Sequence, residues 1–194
     1  MPVKKRKSAP NQVFELEIAL LDIEPRIWRR FAVRSNHSLM VLHDIIQMVM
    51  GWNDCHLHEF EIGDQVYTAR YPELDDLDER KTRDEQRSYL RGVLGGEGSR
   101  FLYRYDFGDG WRNDLKVLKV SQPEEGVRYP VCLSGERSCP PEDVGGTWGY
   151  AEMLEALADP RHEEHDGYIE WLGRKFEPDV FDLNAVNGML MNIR

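Results

Sequence analysis

VFELEIALLDIEPRIWRRFAVRSNHSLMVLHDIIQMVMG, residues 13–51, is the stretch on which the fold turns. Phe14, Leu16, Ile18 and Leu20 alternate with polar or small neighbours, Glu15 and Glu17 among them, which is the two-residue period of a half-buried strand. Asp22-Ile23-Glu24-Pro25 makes a turn. A second strand from Ile27 to Arg34 then puts Ile27, Arg29, Phe31 and Val33 on one face and Trp28, Arg30, Ala32 and Arg34 on the other. The pair forms a β-hairpin. Ser38 caps a helix from Leu39 to Met50, whose stripe of Leu39, Leu42, Ile45, Ile46 and Val49 has helical spacing, and Gly51 ends it. The expected arrangement is one antiparallel sheet with this helix packed on it, burying Leu42, Ile46 and Val49.

Outward from this unit, Leu57 to Ile62 and Val66 to Thr68 form a second hairpin about Gly63-Asp64. Tyr71 to Arg87 is dense in charge and lacks apolar periodicity. It reads as a solvated excursion into a short helix from Glu85 to Leu94, and it lacks the glycine and glutamate positions of an EF-hand loop. Phe101 to Asp106 and Trp111 to Val120 are strands joined by Phe107-Gly108-Asp109-Gly110, where Asp-Gly supplies the positive φ of a tight turn. After Pro130 come the stiff Cys139-Pro140-Pro141 and the loop Glu142 to Gly146. Three helices follow, one capped by Thr147, one opening at Asp159-Pro160 and ending near Gly173, and one opening at Asp182. Strands first and helices last predict an α+β fold with a largely antiparallel sheet, one packed helix early and a C-terminal group of helices. Residues 1–11 form a basic arm and residues 12–194 a single domain.

Four of the 25 basic residues, Lys4, Lys5, Arg6 and Lys7, lie in that arm, leaving 21 against 35 acids elsewhere. So acidic a body repels a phosphate backbone unless its basic residues share a face, which argues against nucleic acid as its partner. Three cysteines, Cys55, Cys132 and Cys139, with no CxxC pair argue against a disulfide framework or zinc ribbon and for a reducing compartment. No apolar run approaches the ~18 residues of a membrane span, so the expected location is cytoplasmic, with no membrane partner.

Several constellations could carry chemistry. His56 and His58 of HLHEF, with Glu59 between them and the phenylalanine, would share one face of a strand and could grip one metal, with Asp106, Asp109 and Glu142 as completing carboxylates. The DFG within Tyr105 to Trp111 lacks the glycine-rich loop and HRD of a kinase and is a hairpin tip instead. Cys139 fits an inert thiol in a rigid loop. His162 and His165 are three apart rather than the zincin four, and suit a solvated helix face. The five tryptophans are scattered and suit core and rim anchors rather than a base-stacking row.

IEPRIWRRF (Ile23 to Phe31), LHDIIQMVMGW with HLHEF (Leu42 to Phe60), YDFGDGW (Tyr105 to Trp111) and CPPEDVGGTWGY (Cys139 to Tyr150) occur in that order. Together they resemble the plasmid ORF-three-like family over about Val13 to Leu190. Relatives in that family are also labelled insertion-element passenger proteins with a resolvase-like name. The resemblance implies an α+β domain and no established activity. The serine-recombinase features that the label suggests cannot be read in these residues. The family pattern has a histidine where this chain has Asn113, which weakens a metal-based reading.

Three functions remain. The residues best fit a non-catalytic binding or accessory module that takes an unidentified protein or small ligand in a polar cleft. A metal-dependent hydrolase or nuclease using His56, His58, Asp106, Asp109 and Glu142 is the second. The third is a DNA-mobility accessory using Arg26, Arg29, Arg30 and Arg34. No cofactor is identified. HLHEF, DFGDGW and CPPEDVGG are far apart in sequence, yet each sets polar groups on tightly turning backbone. One shared cleft predicts that His56 or His58, Asp106 or Asp109, and Glu142 or Asp143 lie within about 12 Å of one another, the scale of a small ligand site.

Overall fold

The computed structural model describes residues 11–69 and 82–193. The basic arm, apart from Asn11, and the acidic stretch 71–81 lie outside the described residues. β1 (Val13–Leu20) and β2 (Trp28–Arg34) pair antiparallel with Leu16 opposite Phe31. Around them β3 (His58–Ile62), β4 (Gln65–Thr68), β5 (Thr82–Asp84), β6 (Arg100–Tyr105), β7 (Trp111–Ser121) and β8 (Val131–Glu136) complete one eight-stranded sheet. Its order is β5-β4-β3-β6-β7-β1-β2-β8, antiparallel throughout except for the parallel pair of β4 and β5. The fold is α+β.

α1 (Leu39–Met50) packs on this sheet as its periodicity requires, with Leu42, Ile46 and Val49 buried. Ser38 Oγ accepts the Val41 N–H, and Gly51 closes the helix at φ 88°, donating to Gln47 O. α2 (Leu90–Val93), α3 (Gly146–Ala158), α4 (His165–Leu172) and α5 (Leu183–Leu190) are the other α-helices among the described residues. None is long and apolar enough to cross a membrane among the described residues.

Four expectations change. The helix anticipated from Glu85 to Leu94 is divided into a 3-10 turn, Glu85–Arg87, and α2, because Leu90 N–H bonds His37 O and Ser88 O accepts the Leu39 N–H. These tertiary bonds outcompete one continuous helix. The first C-terminal helix is entered through left-handed Gly145 and Gly146, not capped by Thr147. α4 begins at His165 rather than Asp159, after a turn in which Asp159 O accepts the His162 N–H. β5 and β8 were not anticipated: β5 and buried Glu85 end the stretch read as a solvated excursion, where charge hides the strand, and in β8 a serine and a glycine hide the alternation.

The four arginines considered for phosphate do not form one face. Arg30 is within 3.7 Å of Glu15 and 3.6 Å of Glu17, and Arg26 pairs with Glu17 at 2.6 Å. Arg34 lies over the Tyr129 ring. Arg29 is only 2% exposed. Its guanidinium donates to the carbonyls of Val49, Trp28, Glu136 and Arg137 and lies 4.1 Å from the Phe181 ring centroid. It is an interior clamp between α1 and the end of β8.

Candidate functional site

Three loops meet at one end of the sheet: residues 53–57 before β3, the β6–β7 turn, and residues 139–146 before α3. Asp106 holds the turn at φ 52°, with Oδ1 accepting the N–H groups of Gly108 (2.9 Å) and Asp109 (3.3 Å). That leaves Oδ2 free of the turn and 3.5 Å from His56 Nε2. In Glu142, Oε1 is likewise used by the fold, accepting from Asn53 N–H at 2.7 Å and Tyr105 Oη at 3.0 Å. Its Oε2 is buried without a hydrogen-bond partner. Burial and the Glu142 carboxylate push the Tyr105 phenol far up, so it stays a donor. Tyr105 stacks on Trp52, whose Nε1 donates to Pro140 O at 3.3 Å and fixes the stiff proline run.

His56 Nε2 occupies the point where the spare oxygens meet. It lies 3.2 Å from Asp143 Oδ1, 3.5 Å from Asp106 Oδ2 and 3.8 Å from Glu142 Oε2. It is buried at that atom and hydrogen-bonded to none of them. The structure thus brings together His56, Asp106, Glu142 and Asp143. Asp109 serves the loops instead: its Oδ2 accepts the Gly145 N–H at 3.2 Å. Glu59 is buried, with its carboxylate 3.1 Å from Arg104.

His58 is placed apart from His56, contrary to the expectation of one shared strand face. β3 starts only at His58, and left-handed Asp54 (φ 54°) turns the chain before it, so the two-residue alternation does not apply across residues 56–58. His58 Nε2 lies 2.8 Å from buried Glu85 Oε2, and its ring stacks on His43 at 3.5 Å between centroids and 5° between planes. His43 Nε2 lies 2.7 Å from Asp54 Oδ1, and Nδ1 2.7 Å from Tyr103 Oη. Burial and the neighbouring His58 lower the His43 pKa, favouring its neutral ring. A cavity of about 570 Å³ opens beside this group, with Asp44 in its wall. Burial and the charges of Asp54 and Glu85 raise the Asp44 carboxyl.

The model of the plasmid pRiA4b ORF-3-like proteins matches residues 12–185. The chain belongs to the plasmid pRiA4b ORF-3-like family. It is 40% identical over 163 residues to the uncharacterized protein y4hQ of Sinorhizobium fredii (strain NBRC 101917 / NGR234), covering 83% of this chain and 81% of that one. The crystal structure of MM3350 from Methanosarcina mazei Go1, a protein of unknown function, superposes with a TM-score of 0.80 at 37% identity, over 90% of this chain and 97% of that one. These relatives carry no assigned activity.

In this member of the pRiA4b ORF-3-like family, the remaining candidates fall outside the cleft's chemistry. Cys139 lies 3.8 Å from both the Arg29 guanidinium and Met50 Sδ, and burial pushes its thiol up to about 11, as it does for Cys132. Both stay protonated and unreactive near neutrality. His165 Nδ1 lies 2.8 Å from Ala156 O, tying α4 to α3 instead of facing solvent. Trp52 and Trp111 are buried, but Trp148 is 88% exposed in the first turn of α3, not an anchor, while Tyr150 takes the inward position. Asn113 is buried in β7, donating to Tyr103 O at 3.4 Å.

Proposed function

We infer that this protein is a non-catalytic binding module whose polar cleft holds a divalent transition-metal cation on His56, Asp106, Asp143 and Glu142. The spacing around His56 Nε2 carries the reading. A direct hydrogen bond would draw a carboxylate to about 2.7–3.2 Å; only Asp143 reaches that limit, and His56 Nε2 makes no hydrogen bond to it. Tetrahedral ligands bonded at about 2.0–2.1 Å to one ion stand about 3.3–3.4 Å from one another. The separations from His56 to Asp143 and Asp106, 3.2 and 3.5 Å, bracket that value, and these three donors lie within 4.8 Å of one another; Glu142 Oε2 stands 3.8 Å from His56 on another side. Asp106 and Glu142 each anchor the fold through one oxygen and leave the other toward the same point, which is the preorganisation a ligand shell needs. One imidazole with three carboxylates suits Zn2+ or Mn2+.

Isothermal titration with Zn2+ tests this reading. The doubly substituted Asp106→Asn, Glu142→Gln protein keeps volume and most anchoring bonds but loses ligand charge. It is expected to lose a saturable binding event present in the native chain, with affinity down on the order of 100-fold or more, beyond the effect of losing an outer-shell partner. Identical isotherms for the two proteins would reject a cation in the cleft.

A further inference from the structure

We propose that the stacked pair His43 and His58, with Asp54 and Glu85, forms a second, buried site for a divalent cation of the Zn2+ type. It shares no donor with the His56 cleft and does not rest on that reading. Donor atoms of His43, Asp54 and His58 all lie within 4.8 Å of one another; without an ion, His43 Nε2 and His58 Nε2 are hydrogen-bonded to Asp54 Oδ1 at 2.7 Å and to Glu85 Oε2 at 2.8 Å, bonds that an ion would replace. Two imidazoles and the Asp54 carboxylate are three donors of the kind zinc takes, with Glu85 beside His58. His43, His58 and Glu85 are all more than nine-tenths buried, and a buried carboxylate is costly unless a cation faces it.

The surroundings hold these donors in place as outer-shell groups do in metal sites. Gln47, one helical turn after His43, donates from Nε2 to Tyr103 Oη at 3.0 Å, while its Oε1 accepts the Asp54 N–H at 2.8 Å. One amide thereby positions both neighbours of His43: the phenol on Nδ1 and the aspartate on Nε2. The lone pairs of two parallel rings do not converge, so an ion shared by both imidazoles has to splay them. The adjoining cavity of about 570 Å³ leaves room for that movement. Asp44 lines the same wall beside the centre.

Zinc content of the full chain, measured by native mass spectrometry after removal of excess metal, tests the site. The native chain is expected to carry two ions, the Asp106→Asn, Glu142→Gln cleft variant one, and the Asp54→Asn, His58→Gln variant one. Should that second variant fail to fold by circular dichroism, Asp54→Asn alone serves, on a side chain 59% exposed; its affinity for one ion should fall at least tenfold. A native chain with one ion that disappears with the cleft variant overturns the buried site and leaves the cleft reading intact. One ion that survives in the cleft variant but is lost on changing Asp54 supports the buried site and removes the cleft reading. No change in zinc content or affinity on changing Asp54 or His58 overturns the proposal.

Discussion

Arg29→Ala is expected to lower unfolding stability by about 3–5 kcal/mol, the combined cost of leaving buried carbonyl acceptors unsatisfied and of the void left by a large interior side chain. The guanidinium satisfies carbonyls of Val49, Trp28, Glu136 and Arg137, which belong to the end of α1, to β2 and to the end of β8 and the residue after it. Alanine leaves these acceptors buried or dependent on water entering beneath Phe181, and opens a void where the side chain lay. Lysine is expected to recover only part of the loss, since one ammonium cannot reproduce the planar fork that reaches carbonyls on separate segments. Urea denaturation of the three proteins measures the effect. A loss below about 1 kcal/mol for alanine, the range of surface substitutions, would show that Arg29 is not an interior clamp.

Gly149→Ala is expected to displace the CPPEDVGG loop and remove Zn2+ binding in the cleft, with stability reduced by more than about 2 kcal/mol as in other overpacked positions. A Cβ at Gly149 would overlap the carbonyl of Val144, a backbone atom that no rotamer change can move. The chain reverses tightly here: Gly149 N–H bonds Gly145 O, while Gly145 and Gly146 have φ of 93° and 69°. Gly146 lies against Asp109, whose carbonyl oxygen would be 2.5 Å from an added Cβ. The glycines therefore press the Glu142–Asp143 loop onto the DFGDG turn, which is how two remote segments come to share one histidine. Titration of Gly149→Ala with Zn2+, beside its urea unfolding curve, checks both effects. Native-like cleft affinity would mean that the loop relaxes around the methyl group without moving Glu142 or Asp143.

The parts of the fold that could be read from sequence are those with long, regular periods. β1 and α1 each carry an unbroken burial pattern, and the α1 ends are marked by Ser38 and Gly51. β8 and the start of α3 escaped because their conformation is set elsewhere: β8 by pairing with β2, and α3 by contact of Gly146 with Asp109. In the cleft, Asp106, Glu142 and Asp143 could be marked from their turning backbone, and the structure brings them to His56. His58 was misplaced because period-two reasoning was extended into residues that are not strand. His43 and Gln47 went unread, although a signal was present. They are four residues apart on a helix and interleave with Leu39, Leu42 and Ile46, which puts two polar side chains on the covered face. Glu85, 27 residues beyond His58, offers no comparable local pattern.

Diffraction from crystals equilibrated with Zn2+, recorded on both sides of the zinc absorption edge, tests the cleft assignment most directly. An anomalous peak is expected in the space bounded by His56 Nε2, Asp106 Oδ2, Asp143 Oδ1 and Glu142 Oε2, at about 2.0–2.2 Å from at least three of them. Saturating Zn2+ with no peak in the cleft, and His56 hydrogen-bonded directly to a carboxylate, would contradict it.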